Sequence, residues 1–468
     1  MGIFENPKSK FLNPKFFWGW GMDTSAVAAS AKRKAYLNIV LPLFITSVIA
    51  YIDRVNIGYA ALTMNKDLGF TAQMFGMGAG IFFAGYFLFE VPGALIAEKY
   101  SPRIWLARIM ITWGAISGLM AFMHVAWQFY LIRFLLGAAE ASLYPVIYAT
   151  CIPRFFGAKD RARAIALLLT SLQVSAIIGG PLAGWVLGIP LYGFKGWQVL
   201  FLIEAVPAIV FGFIIVFWMA DHPRSARWLT EEEKQFLTEQ FEREVAAKGA
   251  VKRYSVLQAL ADREVLKLAL IYFLYITGFW GFNYWMPTVL KSMSGWSNFA
   301  IGGLLAIPML ISLLASAYNG HHSSKHNEKR WHGAIPLFIG AIGLGVGVFM
   351  HNPVIAFFFV ILANIGTYAP MAVWWSYPTT FLSGAAAAGA IGMINSCGNL
   401  GGFVGPYLTG WIKTATGSFA GAYVYLACSL TAAGLLILTL RKQVPTDAVE
   451  SKTARAEAGT AKTVPIQR

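Results

Sequence analysis

Long apolar stretches separated by short polar segments run along most of the chain. Uncharged stretches of 18 or more residues recur from position 35 onward, and that length is sufficient for a helix to cross a bilayer. The pattern predicts an all-α polytopic membrane protein with twelve transmembrane helices, numbered span 1 to span 12. The predicted spans are 35–60, 72–96, 103–125, 127–151, 163–188, 197–219, 265–290, 299–320, 333–350, 353–376, 384–412 and 418–440.

The charged residues between the spans indicate which side of the membrane each loop faces. Lys32, Arg33 and Lys34 precede span 1, and further Lys and Arg residues follow spans 2, 4 and 8, whereas the alternate loops hold only scattered charges. Basic residues concentrate in loops that remain in the cytoplasm. We therefore expect a multi-pass protein of the cell inner membrane with both termini in the cytoplasm.

The composition agrees with a membrane protein and explains the positive charge. Hydrophobic residues make up 57% of the 468 positions and charged residues only 13%, against about 25% in soluble domains. The formal net charge of +15 would suggest a nucleic-acid partner in a soluble protein, but here the basic loops account for it. The three cysteines lie in or beside apolar spans and indicate neither a disulfide framework nor a metal site.

A charged segment in the middle divides the chain into two similar halves. The run from Gly179 to Trp185 in span 5 resembles the run from Gly401 to Trp411 in span 11, and repeated halves are typical of transporters. The predicted domains are a cytoplasmic N-terminal segment (1–34), an N-terminal six-helix bundle (35–219), a cytoplasmic linker (220–264), a C-terminal six-helix bundle (265–440) and a disordered cytoplasmic tail (441–468).

Two pairs of oppositely charged residues lie inside predicted spans: Asp53 and Arg54 in span 1, and Arg133 and Glu140 in span 4. Each charge costs roughly 2.5–3.5 kcal/mol at the centre of a membrane helix, so a simple anchor would have no reason to carry them. Both arginines reach a similar depth, and Glu140 lies about 10 Å deeper than Arg133 on nearly the same face. Ion pairs that only lock two helices together are the alternative. The pattern favours a site that binds a charged solute and moves protons.

The chemistry of these side chains suggests a division of roles. Arg54 stays protonated and offers a planar fork to a carboxylate, which makes it the first candidate for substrate binding. Arg133 is also a candidate for the substrate-binding site, where it is expected to hold Asp53 or Glu140 ionised until substrate or a proton arrives. Both acids can change their protonation state, because burial and a neighbouring arginine act on a carboxyl group in opposite directions. Asp53 and Glu140 are therefore the candidates for proton coupling.

Several motifs carry a resemblance to a known family. The segment from Gly93 to Arg103 resembles the loop signature of the major facilitator superfamily, with Glu98 for the usual Asp and Pro102 for the usual Gly. The motifs Asp53-Arg54-Val55-Asn56, Gly137-Ala138-Ala139-Glu140 and Asn395-Ser396-Cys397-Gly398-Asn399-Leu400-Gly401-Gly402 resemble its anion:cation symporter family, which includes tartrate, phthalate, hydroxyphenylacetate and sugar-acid permeases. The resemblance covers roughly residues 35–440 and implies two pseudo-symmetric six-helix bundles, the major facilitator fold.

The resemblance also implies roles for residues beyond the four charges. Positions that contact substrate in relatives are matched by Tyr51, Tyr86, Gln173, Trp375 and Asn395, and Asn399 shares a face of span 11 with Asn395. A packing role is the alternative for the aromatic residues. The residues assigned to a cytoplasmic gate are Glu90, Gly93, Glu98, Lys99 and Arg103. The aromatic run from Phe279 to Trp285 in span 7 could line the cavity, but its place near the predicted outer interface favours an aromatic belt.

Together these observations predict a proton-coupled symporter that imports a small organic carboxylate (an aromatic acid, a hydroxy acid or a sugar acid) by alternating access. An anion exchanger is the alternative in mechanism, and a transporter-like membrane sensor is an alternative of another class. The sequence lacks the phosphate-binding loop of ATP-driven transport and any nucleophile–base constellation, so no enzyme is expected. The expected partners are a small organic anion, protons and the lipid bilayer, with no nucleic acid, no cofactor and a monomeric state.

Overall fold

The computed structural model describes residues 24–248, 262–377 and 384–440. Within these ranges the secondary structure is helical, and the extended pairing consists of a single bridge between Leu191 and Phe194. The expectations for residues 1–23, for the second part of the linker and for the tail after Leu440 lie outside the described residues.

Each half of the molecule contains six membrane helices, some of them built from consecutive segments. In the first half, the bounds are span 1 (Thr24–Ala35, Tyr36–Val40 and Leu41–Leu68), span 2 (Ala72–Lys99), span 3 (Pro102–Leu119 and Met120–Phe122), span 4 (Ala126–Glu140, Leu143–Pro145, Val146–Cys151 and Ile152–Phe155), span 5 (Ala158–Leu169 and Ser171–Val186) and span 6 (Gly196–Trp218). A short turn, Pro223–Ser225, and the linker helix, Glu231–Lys248, follow.

The second half has the same number of spans. Their bounds are span 7 (Arg263–Ser294), span 8 (Asn298–His326), span 9 (Arg330–Gly347), span 10 (Pro353–Tyr368 and Met371–Trp374), span 11 (Gly384–Thr416) and span 12 (Ala420–Leu438).

Ten of the described helices are long and apolar enough to cross a membrane by themselves. Spans 9 and 11 complete the twelve. Span 9 begins with Arg330 and His332, and span 11 contains Gly, Ser and Asn residues in its middle, which lowers the hydropathy of both. Both nevertheless pack inside the second half, span 9 against spans 10 and 12, and span 11 against span 7. The expected all-α architecture with two six-helix bundles is confirmed.

The helices pair in the same order in both halves. In the first half, span 2 packs on span 4, span 3 on span 6, and span 1 on spans 5 and 6. In the second half, span 8 packs on span 10, span 9 on span 12, and span 7 on spans 11 and 12. The halves meet where span 1 packs on span 7, span 2 on span 11, and span 5 on span 8. These six helices therefore form the contact between the two halves.

A break in span 4 follows immediately after Glu140. Ser142 adopts a left-handed backbone with a φ of 73°, which is uncommon for a residue other than glycine. The indole nitrogen of Trp105 on span 3 donates a hydrogen bond to the Ser142 hydroxyl at 3.1 Å. Gly93 on span 2 lies so close to Ser142 that a Cβ at position 93 would overlap its hydroxyl. Spans 2 and 3 therefore hold the break and define where the helix that carries Glu140 ends.

The linker helix packs on the end of the first half that carries the basic loops. Glu233 accepts a hydrogen bond from the Ser30 hydroxyl at 2.6 Å and pairs with the Lys34 ammonium at 2.8 Å. Arg161, before the membrane part of span 5, pairs with Glu244 at 2.5 Å. We call this end of the molecule, with the loops after spans 2, 4 and 8, the basic end, and we call the other the opposite end.

Candidate functional site

The central feature of the site is a buried ion pair between spans 1 and 4. The guanidinium of Arg54 donates a hydrogen bond from Nη2 to Oε1 of Glu140. Arg54 is 7% exposed and Glu140 is fully buried. Two charges removed from water in this way are maintained only while each has its partner, because a buried charge without a partner costs several kcal/mol. A change in the protonation or the binding partner of one residue of the pair therefore affects the other.

Five aromatic rings surround the Arg54 guanidinium. Their centroids lie 5.1–5.9 Å from its central carbon, within the range of cation–π attraction. The rings belong to Tyr51, Phe82, Tyr86, Tyr144 and Trp280, and we call this group the Arg54 cage. The first four come from spans 1, 2 and 4, whereas Trp280 comes from span 7 in the second half. The cage thus lies where the two halves meet.

The cage contains three residues that sequence reasoning assigned elsewhere or did not select. Trp280 was expected in an aromatic belt, but span 7 continues to Ser294, so Trp280 lies in mid-helix and is buried. Phe82 lies one helical turn before Tyr86, a spacing that puts both on one face of span 2. Tyr144 follows the break in span 4. The left-handed backbone at Ser142 interrupts the helical periodicity that would have indicated where Tyr144 points.

Asp53 faces a different part of the protein from Arg54. Its carboxylate accepts hydrogen bonds from the Trp113 indole nitrogen at 2.8 Å and from the Ser117 hydroxyl, both on span 3. Consecutive residues of a helix point about 100° apart, so one of the two must turn away from the interface between the halves. Asp53 therefore lies inside the first bundle and not in the Arg54 cage.

A second buried carboxylate lies close to Asp53 within the first bundle. Asn56 Nδ2, one helical turn after Asp53, donates a hydrogen bond to Glu204 Oε1 on span 6. Glu204 is 5% exposed. The first bundle thus holds acidic side chains both at its interface with the second half and in its own interior.

Arg133 braces span 4 against span 2. Its Nε donates to the carbonyl oxygen of Gly78 at 3.2 Å and its Nη2 to that of Ala79 at 3.4 Å. The guanidinium also lies 4.8 Å from the centroid of the Phe82 ring, which contacts Arg54 as well. The hydrogen bonds of Arg133 thus go to backbone carbonyls. Of the two acids that we expected it to hold, Asp53 accepts from Trp113 and Ser117, and Glu140 is bound by Arg54.

Two predicted groups, the gate and the substrate site, come together at Glu90. Its Oε1 accepts a hydrogen bond from Asn395 Nδ2 at 2.7 Å, and its Oε2 accepts one from Asn399 Nδ2 at 3.1 Å. Glu90 belongs to span 2 and both asparagines belong to span 11. We call this contact, which joins the two halves, the Glu90 joint.

The other predicted binding residues lie on the second half or face it. Gln173 Nε2 donates to the hydroxyl of Ser316 on span 8 at 3.4 Å, and this contact also joins the halves. Trp375 is half-buried and packs edge-on against Tyr272 with 5.2 Å between ring centroids. The structure thus places Gln173 between the halves and Trp375 on an aromatic cluster of the second half.

The remaining predicted gate residues gather at the basic end of spans 2 and 3. The backbone N–H of Arg103 donates to Asp221 at 2.9 Å, and its side chain donates to the Val216 carbonyl at 3.0 Å, which ties span 3 to the end of span 6. The Lys99 ammonium lies 5.7 Å from the centroid of the Tyr100 ring. Of Glu98 the structure describes the backbone position only.

Glycines seal the interface between the halves towards the opposite end. Gly76 on span 2 faces the Pro406 carbonyl of span 11, where a Cβ would come within 2.5 Å of the oxygen. Gly302 on span 8 faces the Gly180 carbonyl of span 5 in the same way, and Gly58 on span 1 faces Tyr284 on span 7. Helices that approach this closely are typical of membrane interfaces with small residues. The two halves are thus in direct backbone contact on this side of the Arg54 cage.

Comparison with known proteins identifies the family. The sequence profile of the Major Facilitator Superfamily matches residues 43–406. The chain belongs to this superfamily. A putative tartrate transporter of Agrobacterium vitis is 42% identical over 93% of this chain and 96% of its own length. A quinolone resistance transporter of Acinetobacter baumannii is 35% identical over 84% of this chain and 91% of its own length.

Solved structures agree on the fold. The structure titled as the inward open conformation of the xylose transporter XylE from E. coli has a TM-score of 0.71 and covers 87% of this chain and 97% of that chain, at 14% sequence identity. The superfamily membership and the major facilitator fold that the motifs implied are confirmed. The protein is a multi-pass membrane transporter and not an enzyme.

Proposed function

We propose that this transporter is a proton-coupled symporter that imports a small organic carboxylate across the bacterial inner membrane. The observation that carries the proposal is the buried Arg54–Glu140 pair inside the Arg54 cage, at the meeting of the two halves. A guanidinium in an aromatic surrounding, with one acid as its partner, is suited to exchange that acid for the carboxylate of a substrate.

The exchange couples substrate to protons. When a substrate carboxylate takes over Arg54, the Glu140 carboxylate loses its partner in a buried position, where an unpaired charge costs several kcal/mol. Protonation removes that cost, so substrate binding and proton uptake by Glu140 favour each other. Asp53, held by Trp113 and Ser117, is the candidate for a second coupled proton within the first bundle.

The surroundings of the pair favour a substrate with polar groups beyond one carboxylate. Three of the five rings in the cage are tyrosines, which combine an apolar face with a hydroxyl. A hydroxy acid or an aromatic acid matches such a lining. The 42% identity to a protein named as a tartrate transporter supports the same class.

Alternating access follows from the way in which the halves meet. The loop charges favour a cytoplasmic position for the basic end and both termini, with the glycine seal towards the outside. We infer that the described conformation is closed to the outside and that import requires spans 1, 2 and 5 to separate from spans 7, 11 and 8 at the seal. One chain contains the whole path, which supports a monomeric carrier.

A substrate screen followed by uptake tests the proposal. Purified protein is screened by thermal shift against tartrate, phthalate and hydroxyphenylacetate, and acids that raise the Tm are offered to de-energised proteoliposomes. We expect uptake to be accompanied by alkalinisation of the outside, because protons enter with the anion. If none of the acids is bound, the organic-carboxylate assignment is wrong. Uptake without proton movement would identify an anion exchanger instead.

A further inference from the structure

The Glu90 joint uses every acceptor oxygen of a carboxylate that has little contact with water. Glu90 is 7% exposed, and each of its oxygens accepts a hydrogen bond from a different asparagine amide. Asn395 and Asn399 are one helical turn apart, so their amides point to the same side of span 11. Two parallel N–H donors at this spacing are a receptor for a carboxylate, whichever molecule supplies it.

The internal symmetry shows that a charge is not needed to join the helices at this point. Ser316 follows the start of span 8 at Asn298 by as many residues as Glu90 follows the start of span 2 at Ala72. Its partner Gln173 precedes Gly184 in span 5 by as many residues as Asn399 precedes Gly410 in span 11.

The Gln173–Ser316 contact is therefore the symmetric counterpart of the Glu90 joint, and both of its members are neutral. The same two pairs of helices also meet at the seal, where Gly76 of span 2 and Gly302 of span 8 occupy equivalent positions. This supports the equivalence of the two contacts. Since a neutral pair joins spans 5 and 8, contact between spans 2 and 11 does not by itself require the Glu90 carboxylate. We therefore assign Glu90 a role beyond helix packing.

The joint is adjacent to the Arg54 cage. Phe82, Tyr86 and Glu90 follow each other at intervals of four residues and lie on one face of span 2. The rings of Phe82 and Tyr86 face Arg54, and Glu90 lies four residues, about 6 Å, beyond Tyr86 towards the basic end. A molecule with one acidic group on Arg54 and a second polar group that extends along span 2 towards the basic end would meet the amides of Asn395 and Asn399.

We propose that Asn395 and Asn399 form an anion subsite that the transporter's own Glu90 occupies when substrate is absent, and that a substrate with a second carboxylate or hydroxyl displaces Glu90 from it. This inference rests on the proposed import of organic carboxylates and extends it to bifunctional acids. Glu90 then acts as an internal competitor that keeps spans 2 and 11 joined in the empty carrier. Substrate breaks the joint and releases the two helices for movement.

The subsite can be tested without knowledge of the substrate. Glu90→Ala leaves the two amides without their carboxylate, so acetate should bind there and raise the Tm of this variant by several degrees relative to potassium chloride at equal ionic strength. We expect no such increase for the wild type, for Ser316→Ala, or for the triple variant in which Asn395 and Asn399 are also replaced by Ala. Equal responses of Glu90→Ala and the wild type to acetate would overturn the subsite.

Competition between Glu90 and the substrate is tested by measuring the affinity for tartrate of two variants at position 90. These variants also test the proposal if Glu90→Ala does not fold. Glu90→Asp keeps the charge but is one methylene too short to reach both amides, whereas Glu90→Gln keeps the length and loses the charge. We expect both to lower the Kd for tartrate at least threefold. A higher affinity for tartrate in Glu90→Gln alone would show that Glu90 acts only by charge repulsion at a distance. A lower affinity in both variants would make Glu90 a substrate ligand. Either result contradicts the proposal.

The two failures are distinguishable. If wild-type protein binds neither tartrate nor the other acids of the screen, the proposed function is wrong, and the response of Glu90→Ala to acetate still decides whether the amides form an anion subsite. If wild-type protein binds tartrate but neither Glu90→Asp nor Glu90→Gln changes the Kd, the function stands and the internal competitor is excluded.

Discussion

Arg54 combines a permanent charge, one acidic partner and five aromatic faces in a space with almost no water. Each of these contacts depends on the planar, delocalised guanidinium, which stacks on rings and offers parallel N–H groups to a carboxylate. An ammonium in the same position would be a compact charge that needs hydration. The residue therefore acts through its shape as much as through its charge.

Replacement of Arg54 by Lys should weaken the binding of tartrate at least tenfold, which corresponds to about 1.4 kcal/mol. The reason is that Lys keeps the charge but loses the two-pronged contact with a carboxylate and the stacking on the rings of the cage. Isothermal titration with purified protein measures the change. An unchanged Kd in a folded Arg54→Lys protein would remove Arg54 from the binding site.

Arg133→Lys is the matched control for this experiment. Arg133 is equally buried, but its hydrogen bonds go to the Gly78 and Ala79 carbonyls of span 2. Its replacement should lower the Tm by several degrees, since span 4 loses its brace, and should change the Kd for tartrate less than Arg54→Lys does. A larger effect of Arg133→Lys on the Kd would give Arg133 the substrate contact that the sequence suggested.

The position of the buried charges could be predicted from the sequence, but their partners could not. Ionisable residues in apolar spans are visible in the residue order alone, and their depth follows from the helical rise. Which side chain faces which depends on the rotation of each helix about its axis. A rotation of about 100° separates Asp53, which binds Trp113, from Arg54, which binds Glu140. The break at Ser142, which has no signature in a membrane helix, determines the orientation of Tyr144.

At the scale of helices, the seal near the opposite end depends on residues without side chains. Gly302 faces the Gly180 carbonyl and the Gly184 Cα, which are backbone atoms that cannot rotate away. Gly303, the next residue of span 8, has nothing within 4 Å of the position of a Cβ. Gly302 and Gly303 thus differ in this contact, although they lie on the same helix, at a similar depth and with the same helical backbone.

Gly302→Ala should therefore prevent closure of the seal, whereas Gly303→Ala should not. We expect the uptake of tartrate into proteoliposomes to fall at least tenfold for Gly302→Ala and to stay within twofold of the wild type for Gly303→Ala. Binding of tartrate to the detergent-purified Gly302→Ala protein should be retained, because the cage lies away from the seal. Normal uptake by Gly302→Ala would show that the backbone contact is not part of the transport cycle.

The linker helix is attached to the first half by a carboxylate that titrates outside the membrane. Burial by itself would raise the pKa of Glu233, but hydrogen bonds from Lys34, Ser30 and the Thr230 N–H lower it below its usual value of 4.5. A carboxyl group whose pKa is lower in the folded state stabilises the fold above its usual pKa. That contribution is lost as the pH falls through the lowered value.

Glu233→Gln should lower stability at neutral pH by about 1 kcal/mol, the magnitude of a partly exposed ion pair. The difference between the variant and the wild type should shrink as the pH falls below about 4.5, because protonation of Glu233 breaks the same contacts. Thermal unfolding at pH 7 and at pH 4 measures both effects. Glu231→Gln is the control, since Glu231 pairs with Lys234 on the surface of the same helix and should have no measurable effect. A difference that persists unchanged in acid would mean that the Glu233 contacts are not ionic.

At the scale of the whole molecule, the two bundles share a helical plan but not the same chemistry. Every buried charged residue of the described chain lies in the first half or the linker helix: Asp53, Arg54, Glu90, Arg133, Glu140, Glu204 and Glu233. The buried polar residues of the second half within the described ranges are neutral Ser, Thr and Asn. The first bundle thus carries the buried ionisable groups, and the second contributes rings and amides that contact them. The internal repeat predicted the common plan, but it could not predict this separation.

If Glu140 carries the coupled proton, as we propose, its replacement should remove proton coupling and leave the binding site in place. Glu140→Gln has the shape of the protonated acid and leaves Arg54 free for a substrate carboxylate. We expect this variant to bind tartrate and to exchange it in counterflow, because exchange needs no change of protonation. It should not accumulate tartrate under a negative-inside potential. Such accumulation requires that coupled protons exceed the charge of the anion, and each net positive charge then gains roughly 2.3 kcal/mol per 100 mV.

Uptake into proteoliposomes is measured under an imposed potassium-diffusion potential at a fixed starting pH, and the external pH is recorded during uptake. Counterflow exchange is measured separately. Asp53→Asn provides the comparison within the first bundle. An amide at position 53 cannot accept from both Trp113 and Ser117, so one buried donor loses its partner and we expect both accumulation and counterflow to decrease. Accumulation by Glu140→Gln with the same proton movement as the wild type would exclude Glu140 as the proton carrier. Uptake without proton movement in the wild type and both variants would replace the symporter by an exchanger.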